Sequence, residues 1–180
     1  ISAAAQAVGV DPALALAVAR KESAFSRDAR SSAGALGLLQ VMPRTGGRIA
    51  REIGVAYSGT YSLLDPETNA RVGTAYLARM LARFDGDVVL AAAAYNAGPS
   101  RAREWAEENA GQPAAIWIEN ITYGETRDYV KSILAFRAVF EWQLHGDDMR
   151  IAGLMPAMPG DAEPGNRVAA PPMPAVVTNL

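Results

Sequence analysis

The chain contains no cysteine. That absence excludes a disulfide framework, a thiolate zinc site and a cysteine nucleophile together. It says nothing about compartment, since an oxidising environment permits disulfides without demanding them. Histidine is almost as scarce. His145 is the only one, so neither a histidine metal cluster nor a histidine-based triad is available. It stands at the end of a helical stretch, where it would interact favourably with the dipole. A net charge of −2 lacks the basic footprint of a nucleic-acid binder. Residues 1–146 are near neutral, and the acidic excess sits in the last 34 (Asp147, Asp148, Asp161 and Glu163 against Arg150 and Arg167). No apolar run approaches the ~20 residues of a membrane span; the longest, Val88 to Tyr95, closes at Asn96. Gly34, Gly37, Gly46 and Gly47 match no phosphate-loop spacing. The chain opens at Ile1 without an initiator methionine or basic leader, and the expectation is that any signal peptide or upstream domain has been removed.

What is present points to helices. The chain has 180 residues, 50% of them hydrophobic, enough to bury roughly two thirds of its unfolded surface without a staple. Asp11–Pro12 reads as an N-cap with proline at the first helical position, opening a helix to about Ser23. Asp65–Pro66–Glu67 repeats the signature ahead of a helix to about Phe84, striped by Leu77, Leu81 and Phe84. Further helices are predicted over Asp87–Asn96, from Ser100 to before Gly111, and from Glu125 to His145. The last is striped by Tyr129, Ile133, Phe136, Phe140 and Leu144 and stopped by Gly146. No convincing apolar–polar alternation is seen, so the expected fold is all-α or nearly so. Two parts are expected: a domain over 1–146 and a tail over 147–180, which holds more than half of the eleven prolines.

With cysteine, histidine and phosphate loops excluded, chemistry falls to carboxylates, tyrosines and amides. Ten glutamates and nine aspartates are available, most of them on what read as solvated helix faces. Glu22 differs: it ends an otherwise apolar helix, just before a loop. A carboxyl there is partly desolvated and suited to act as a general acid near neutral pH. A surface position beside Arg20 and Lys21 is the competing reading.

Four blocks follow in series. They are Glu22–Ser23; Ser31–Ser32–Ala33–Gly34–Ala35 with Gly37–Leu38–Leu39–Gln40–Val41–Met42–Pro43; Ala94–Tyr95–Asn96–Ala97–Gly98–Pro99; and Tyr123 through Val130. In this order and at these separations they resemble the catalytic domain of the soluble lytic transglycosylases, over roughly residues 10 to 145. The resemblance implies a lysozyme-like helical fold, of the architecture shared with goose-type lysozymes, and cleavage of peptidoglycan. It assigns Glu22 as the single catalytic acid and places Ser31 (or the adjacent Ser32), Gln40 and Met42 along the cleft. It brings the Tyr95 hydroxyl to the catalytic carboxyl, with Asn96 beside it, and sets Glu125 as a second cleft glutamate on the substrate side. Leu39 stands where the family often has methionine, a tolerable apolar swap, and Thr122 where it usually has proline. Tyr95 as a core aromatic and Glu125 as a helix N-terminal charge remain open alternatives. Trp105, Trp117 and Trp142 are either core or surfaces for sugar stacking.

Ordinary glycosidases use two carboxylates; the resemblance supplies one. It implies that the substrate's N-acetyl group replaces the second. Glu22 then serves first as acid and next as base for the muramic acid 6-hydroxyl, giving 1,6-anhydromuramoyl ends. No metal or organic cofactor is called for, the partner is the glycan strand, and the implied location is the periplasm. A hydrolase of the same fold and a non-catalytic glycan-binding module are the rival classes.

Overall fold

A computed structural model describes residues 1–146; the tail expected over 147–180 lies outside the described residues. Among the described residues eight helices follow in order: α1 (Ser2–Ala7), α2 (Pro12–Ser23), α3 (Pro43–Glu52), α4 (Pro66–Arg83), α5 (Val88–Ala97), α6 (Pro99–Glu108), α7 (Ala114–Asn120) and α8 (Gly124–His145), with a 3-10 turn at Thr60–Leu64. Among the described residues the only strand-like pairing is two isolated antiparallel bridges, Arg30 with Leu36 and Leu36 with Val41. The all-helical expectation holds.

The two caps expected from the sequence, at Asp11 and Asp65, form, and Asp87 supplies a third. Asp11 accepts from the Ala13 N–H, Asp65 from Thr68 and Asp87 from Leu90. Each satisfies a backbone donor that the first turn leaves unpaired. Gly146 closes α8 in the left-handed conformation. Three helices add to those expected. α1 and α7 are short, with six and seven residues, too few for a clear periodic pattern. α3 carries Gly46 and Gly47, which normally weaken a helix. Packing overrides that preference: a Cβ on Gly46 would come within 3.0 Å of the Leu63 side chain, and one on Gly47 within 3.3 Å of Tyr57.

The centre of the molecule is α5, whose residues Val89 to Ala94 are all buried. A helix apolar all round must be surrounded, and α4, α6 and α8 pack against it. The most extensive helix pair is α2 with α8. That pairing sets the end of α2, with Glu22, beside the first turns of α8. The α8 stripe is buried at Tyr129 and Ile133, only partly buried at Phe136 and Phe140, and exposed at Leu144. The tryptophans sort cleanly. Trp105 and Trp117 are core, and Trp142 is 60% exposed. The Trp105 indole donates to the Thr122 hydroxyl at 2.9 Å, a contact that a proline at 122 would not offer.

Candidate active site

The site is built around how α2 ends. Ala24 and Phe25 both take left-handed backbone, with φ of 51° and 67°, so the chain turns sharply just after Glu22–Ser23. Left-handed non-glycine residues cost of order 1–3 kcal/mol each and persist only where the surroundings impose them. Part of the restraint here is Ser23, whose hydroxyl donates to the Leu38 carbonyl at 2.8 Å and ties the helix end to the following loop.

That loop, residues 29–42, is held from below by Asn69 of α4. The Asn69 side chain is fully buried. It accepts from the Leu39 N–H and donates to the carbonyls of Leu36 and Leu63, each at 2.8 Å. Leu39 itself is a buried knob. A Cβ on Gly73 would lie 2.5 Å from its side chain, so only glycine leaves the notch that Leu39 fills. Gly37, at φ 75°, passes so close that a Cβ there would meet the Leu63 carbonyl at 2.3 Å. The Gln40 amide nitrogen spans the loop, donating to Ala29 and Gly37 carbonyls at 3.1 and 2.8 Å.

Above this loop lies a cavity of about 360 Å³ whose wall includes Glu22, Ser31, Gln40, Met42, Tyr95, Asn96 and Glu125. Every site residue expected from the sequence is therefore brought to one cleft. Ser32, Thr45 and Tyr76 complete the polar part of the lining. Both candidate serines reach it. The Ser31 hydroxyl accepts from the Ala35 N–H at 2.9 Å, which leaves its own proton to donate. Asn96 accepts at Oδ1 from the Thr126 hydroxyl at 2.6 Å, which orients its amide nitrogen as a donor. Glu125 is exposed in the first turn of α8, so its helix-terminal position and its cleft position coexist.

One expected contact is corrected. The Tyr95 hydroxyl does not bond to Glu22; it donates to the Leu39 carbonyl at 2.8 Å and packs its ring 5.1 Å from that of Tyr76. The hydroxyl on the carboxyl is that of Tyr129, donating to Glu22 Oε1 at 2.7 Å. The apolar stripe of α8 marks Tyr129 as core, and at 3% exposure it is core as well. The discriminating clue is its spacing: four residues beyond Glu125, it shares that residue's helix face.

Desolvation dominates the electrostatics of Glu22. Burial raises its pKa to about 7; the Tyr129 hydrogen bond and Lys21 pull it down, and repulsion from Glu125 pushes it up. Its place at the negative end of α2 acts in the same upward sense. With Oε1 engaged by Tyr129, Oε2 makes no protein hydrogen bond among the described residues and is the position for a transferable proton. The Tyr95 and Tyr129 hydroxyls are both pushed well above their ordinary range by burial, with the Glu22 charge adding to the shift, so both remain neutral donors. No group of three or more His, Asp or Glu side chains able to hold a metal occurs among the described residues.

Helices packed around a cleft lined by a partly buried, protonatable carboxyl define a lysozyme-like helical domain. The chain belongs to the family described as Transglycosylase SLT domain, whose profile matches residues 1–118. It is 42% identical over 130 residues to the soluble lytic murein transglycosylase of Escherichia coli strain K12, covering 71% of this chain and 20% of that protein. An inactive glutamate-to-glutamine mutant of lytic transglycosylase Slt from Pseudomonas aeruginosa superposes with a TM-score of 0.77 at 38% identity, covering 81% of this chain and 24% of that one. The 70-kDa soluble lytic transglycosylase of Escherichia coli gives 0.77 at 37% identity, covering 84% and 24%. The chain thus spans about a fifth to a quarter of the length of these relatives.

Proposed function

We propose that residues 1–146 form the catalytic domain of a peptidoglycan lytic transglycosylase. In this reading it cleaves the β-1,4 bond between N-acetylmuramic acid and N-acetylglucosamine without water. The observation that supports it most directly is Glu22: a carboxyl with its pKa raised to about 7, held by Tyr129 on one oxygen, in the cleft wall. An acid with this pKa is protonated often enough to donate and ionised readily enough to accept.

The steps follow from one carboxyl. Glu22 Oε2–H protonates the glycosidic oxygen as its bond to C1 of the muramoyl residue breaks. The N-acetyl carbonyl oxygen of the same sugar bonds to C1 and holds the developing positive charge, as in substrate-assisted glycosidases. The Glu22 carboxylate then takes the proton of the 6-hydroxyl, O6 bonds to C1, and the acetamido oxygen leaves. The products are a 1,6-anhydromuramoyl end and a free 4-hydroxyl, with Glu22 protonated again. Asn96 and Ser31 are assigned to donate to the substrate, Gln40 to accept at its unengaged Oε1, and Met42 and Glu125 to line the strand's path. The substrate polymer lies outside the cytoplasm, and the periplasm is the proposed location.

Hydrolysis is the second reading, because Glu125 lines the same cavity and is available to activate water. Mass spectrometry of digested sacculi separates the two. Anhydro ends released by the wild type and lost in Glu22→Gln are expected. Reducing ends, one water heavier, would establish a lysozyme-type hydrolase. Products retained in Glu22→Gln would overturn the single-acid mechanism.

A further inference from the structure

The last turns of α8 leave an apolar face uncovered. Ala135, Val139 and Trp142 stand at i, i+4 and i+7, one side of the helix. All three are exposed, Val139 by 50% and Trp142 by 60%. Phe136 and Phe140, on another side of the same turns, are met by Arg20 and Phe25. The Trp142 ring has no aromatic or cation–π partner among the described residues. Aromatic side chains carry large apolar surfaces, and one left bare forfeits that burial.

The chain leaves the helix on this same face. Gly146, four residues beyond Trp142, takes left-handed backbone at φ 71°, and its N–H donates to the Trp142 carbonyl at 2.8 Å. Such a cap turns the chain away from the helix axis. In the sequence that follows, large apolar residues gather at Ile151, Leu154, Met155 and Met158, with prolines at 156 and 159. From Ala135 to Trp142 the face is only ~10 Å long at the helical rise, whereas the eight residues from Gly146 to Leu154 can reach up to ~26 Å. The segment is therefore long enough to double back along the whole face. Its prolines reduce the freedom it loses on docking, and its tether gives it a local concentration that a free partner lacks. A second copy of the chain is a poorer occupant, because two large side chains fall far short of the roughly 20–30 residues a side of a stable interface.

We propose that residues 151–158 dock on the exposed face of α8 formed by Ala135, Val139 and Trp142, covering the Trp142 ring with Leu154 and Met155. The contact is independent of what the cleft cleaves.

Quenching of tryptophan fluorescence by acrylamide, a neutral molecule, reads this contact in the full chain. Trp105 and Trp117 are 2% and 1% exposed. The quenchable emission is therefore that of Trp142, taken as the difference between each protein and its Trp142→Phe counterpart. In the wild type the ring should be shielded. Leu154→Asp/Met155→Asp turns a mostly covered population into an open one, and the quenching constant should rise about threefold. Val139→Asp, at an exposed position on the helix side, should raise it as far. All three substitutions together should add little more, because each removes the same contact. A constant equally high in the wild type and the variants means that Trp142 is open and overturns the proposal. A constant that stays low in Leu154→Asp/Met155→Asp overturns it too, since another group then covers the ring. Protection that weakens on dilution of the wild type assigns the face to a second copy and likewise refutes docking of the segment.

Discussion

At the scale of single residues, Glu22 carries the proposed chemistry and also costs stability. An acid whose pKa is raised from 4.5 unfolded to about 7 folded binds its proton more tightly in the native state. Its contribution is favourable at low pH and is lost as pH rises to about 7. Glu22→Gln should therefore stabilise the protein at pH 8 by on the order of 2–3 kcal/mol, falling to under about 1 kcal/mol at pH 5. Denaturant melts of both forms at the two pH values measure this; an equal gain at both would mean that the carboxyl is not desolvated. In the proposed mechanism the same group must start protonated, so kcat/KM should fall as pH rises through about 7. Tyr129→Phe removes the hydrogen bond that favours the carboxylate. It should move that alkaline limb up by about one pH unit while lowering kcat. Tyr95→Phe, which frees only the Leu39 carbonyl, should leave the limb in place. If the limb moved with Tyr95 instead, the assignment of Tyr129 as the orienting hydroxyl would fail.

At the scale of elements, the loop of residues 29–42 is rigid because its polar groups are satisfied from beneath by Asn69 and its apolar knob sits against Gly73. Two glycines in it separate backbone strain from steric exclusion. Gly34 and Gly37 both have positive φ, but nothing lies within 4 Å of a Cβ at Gly34. Gly34→Ala should cost about 1 kcal/mol, from strain alone. Gly37→Ala adds collisions with the Leu63 carbonyl and the Asn69 amide. It should cost about 3 kcal/mol or more, with loss of activity as the loop lifts. Thermal melts and turnover of the two variants decide this. Equal costs would mean that the loop yields freely at Gly37.

Across the whole molecule, the proposed catalysis depends on α2 and α8 being fixed relative to each other, because one supplies Glu22 and the other Tyr129 and Glu125. The pair is tied at its far end too. Asp11 caps α2 through Oδ1 and receives the Arg137 guanidinium of α8 on Oδ2 at 2.8 Å. Partly buried and hydrogen-bonded, this ion pair is expected to contribute about 1 kcal/mol. Asp11→Asn keeps the cap and loses the pair, whereas Asp11→Ala loses both. Falls in Tm of about 3 °C and about 6 °C are expected. Equal falls would show that the cap contributes nothing.

Much of this architecture is legible in the amino-acid sequence. Helix starts are local chemistry: an aspartate followed by two or three free backbone N–H groups decides them, and Asp11, Asp65 and Asp87 all cap their helices. The composition of the cleft is legible as well, through four short blocks whose residues meet at one cavity. Which hydroxyl touches the carboxyl is not. Tyr95 and Tyr129 lie 73 and 107 residues from Glu22, and only the packing of α2 against α8 brings one of them within 2.7 Å. The glycine-containing helix α3 is hidden for a related reason, since the neighbours that require Gly46 and Gly47 come from the segment beyond it. By itself the sequence determined the helices that cap themselves and the residue types of the cleft, because those interactions span a few residues. The tertiary structure decided hydrogen-bond partners and the burial that raises Glu22, because each depends on surfaces contributed by separate helices.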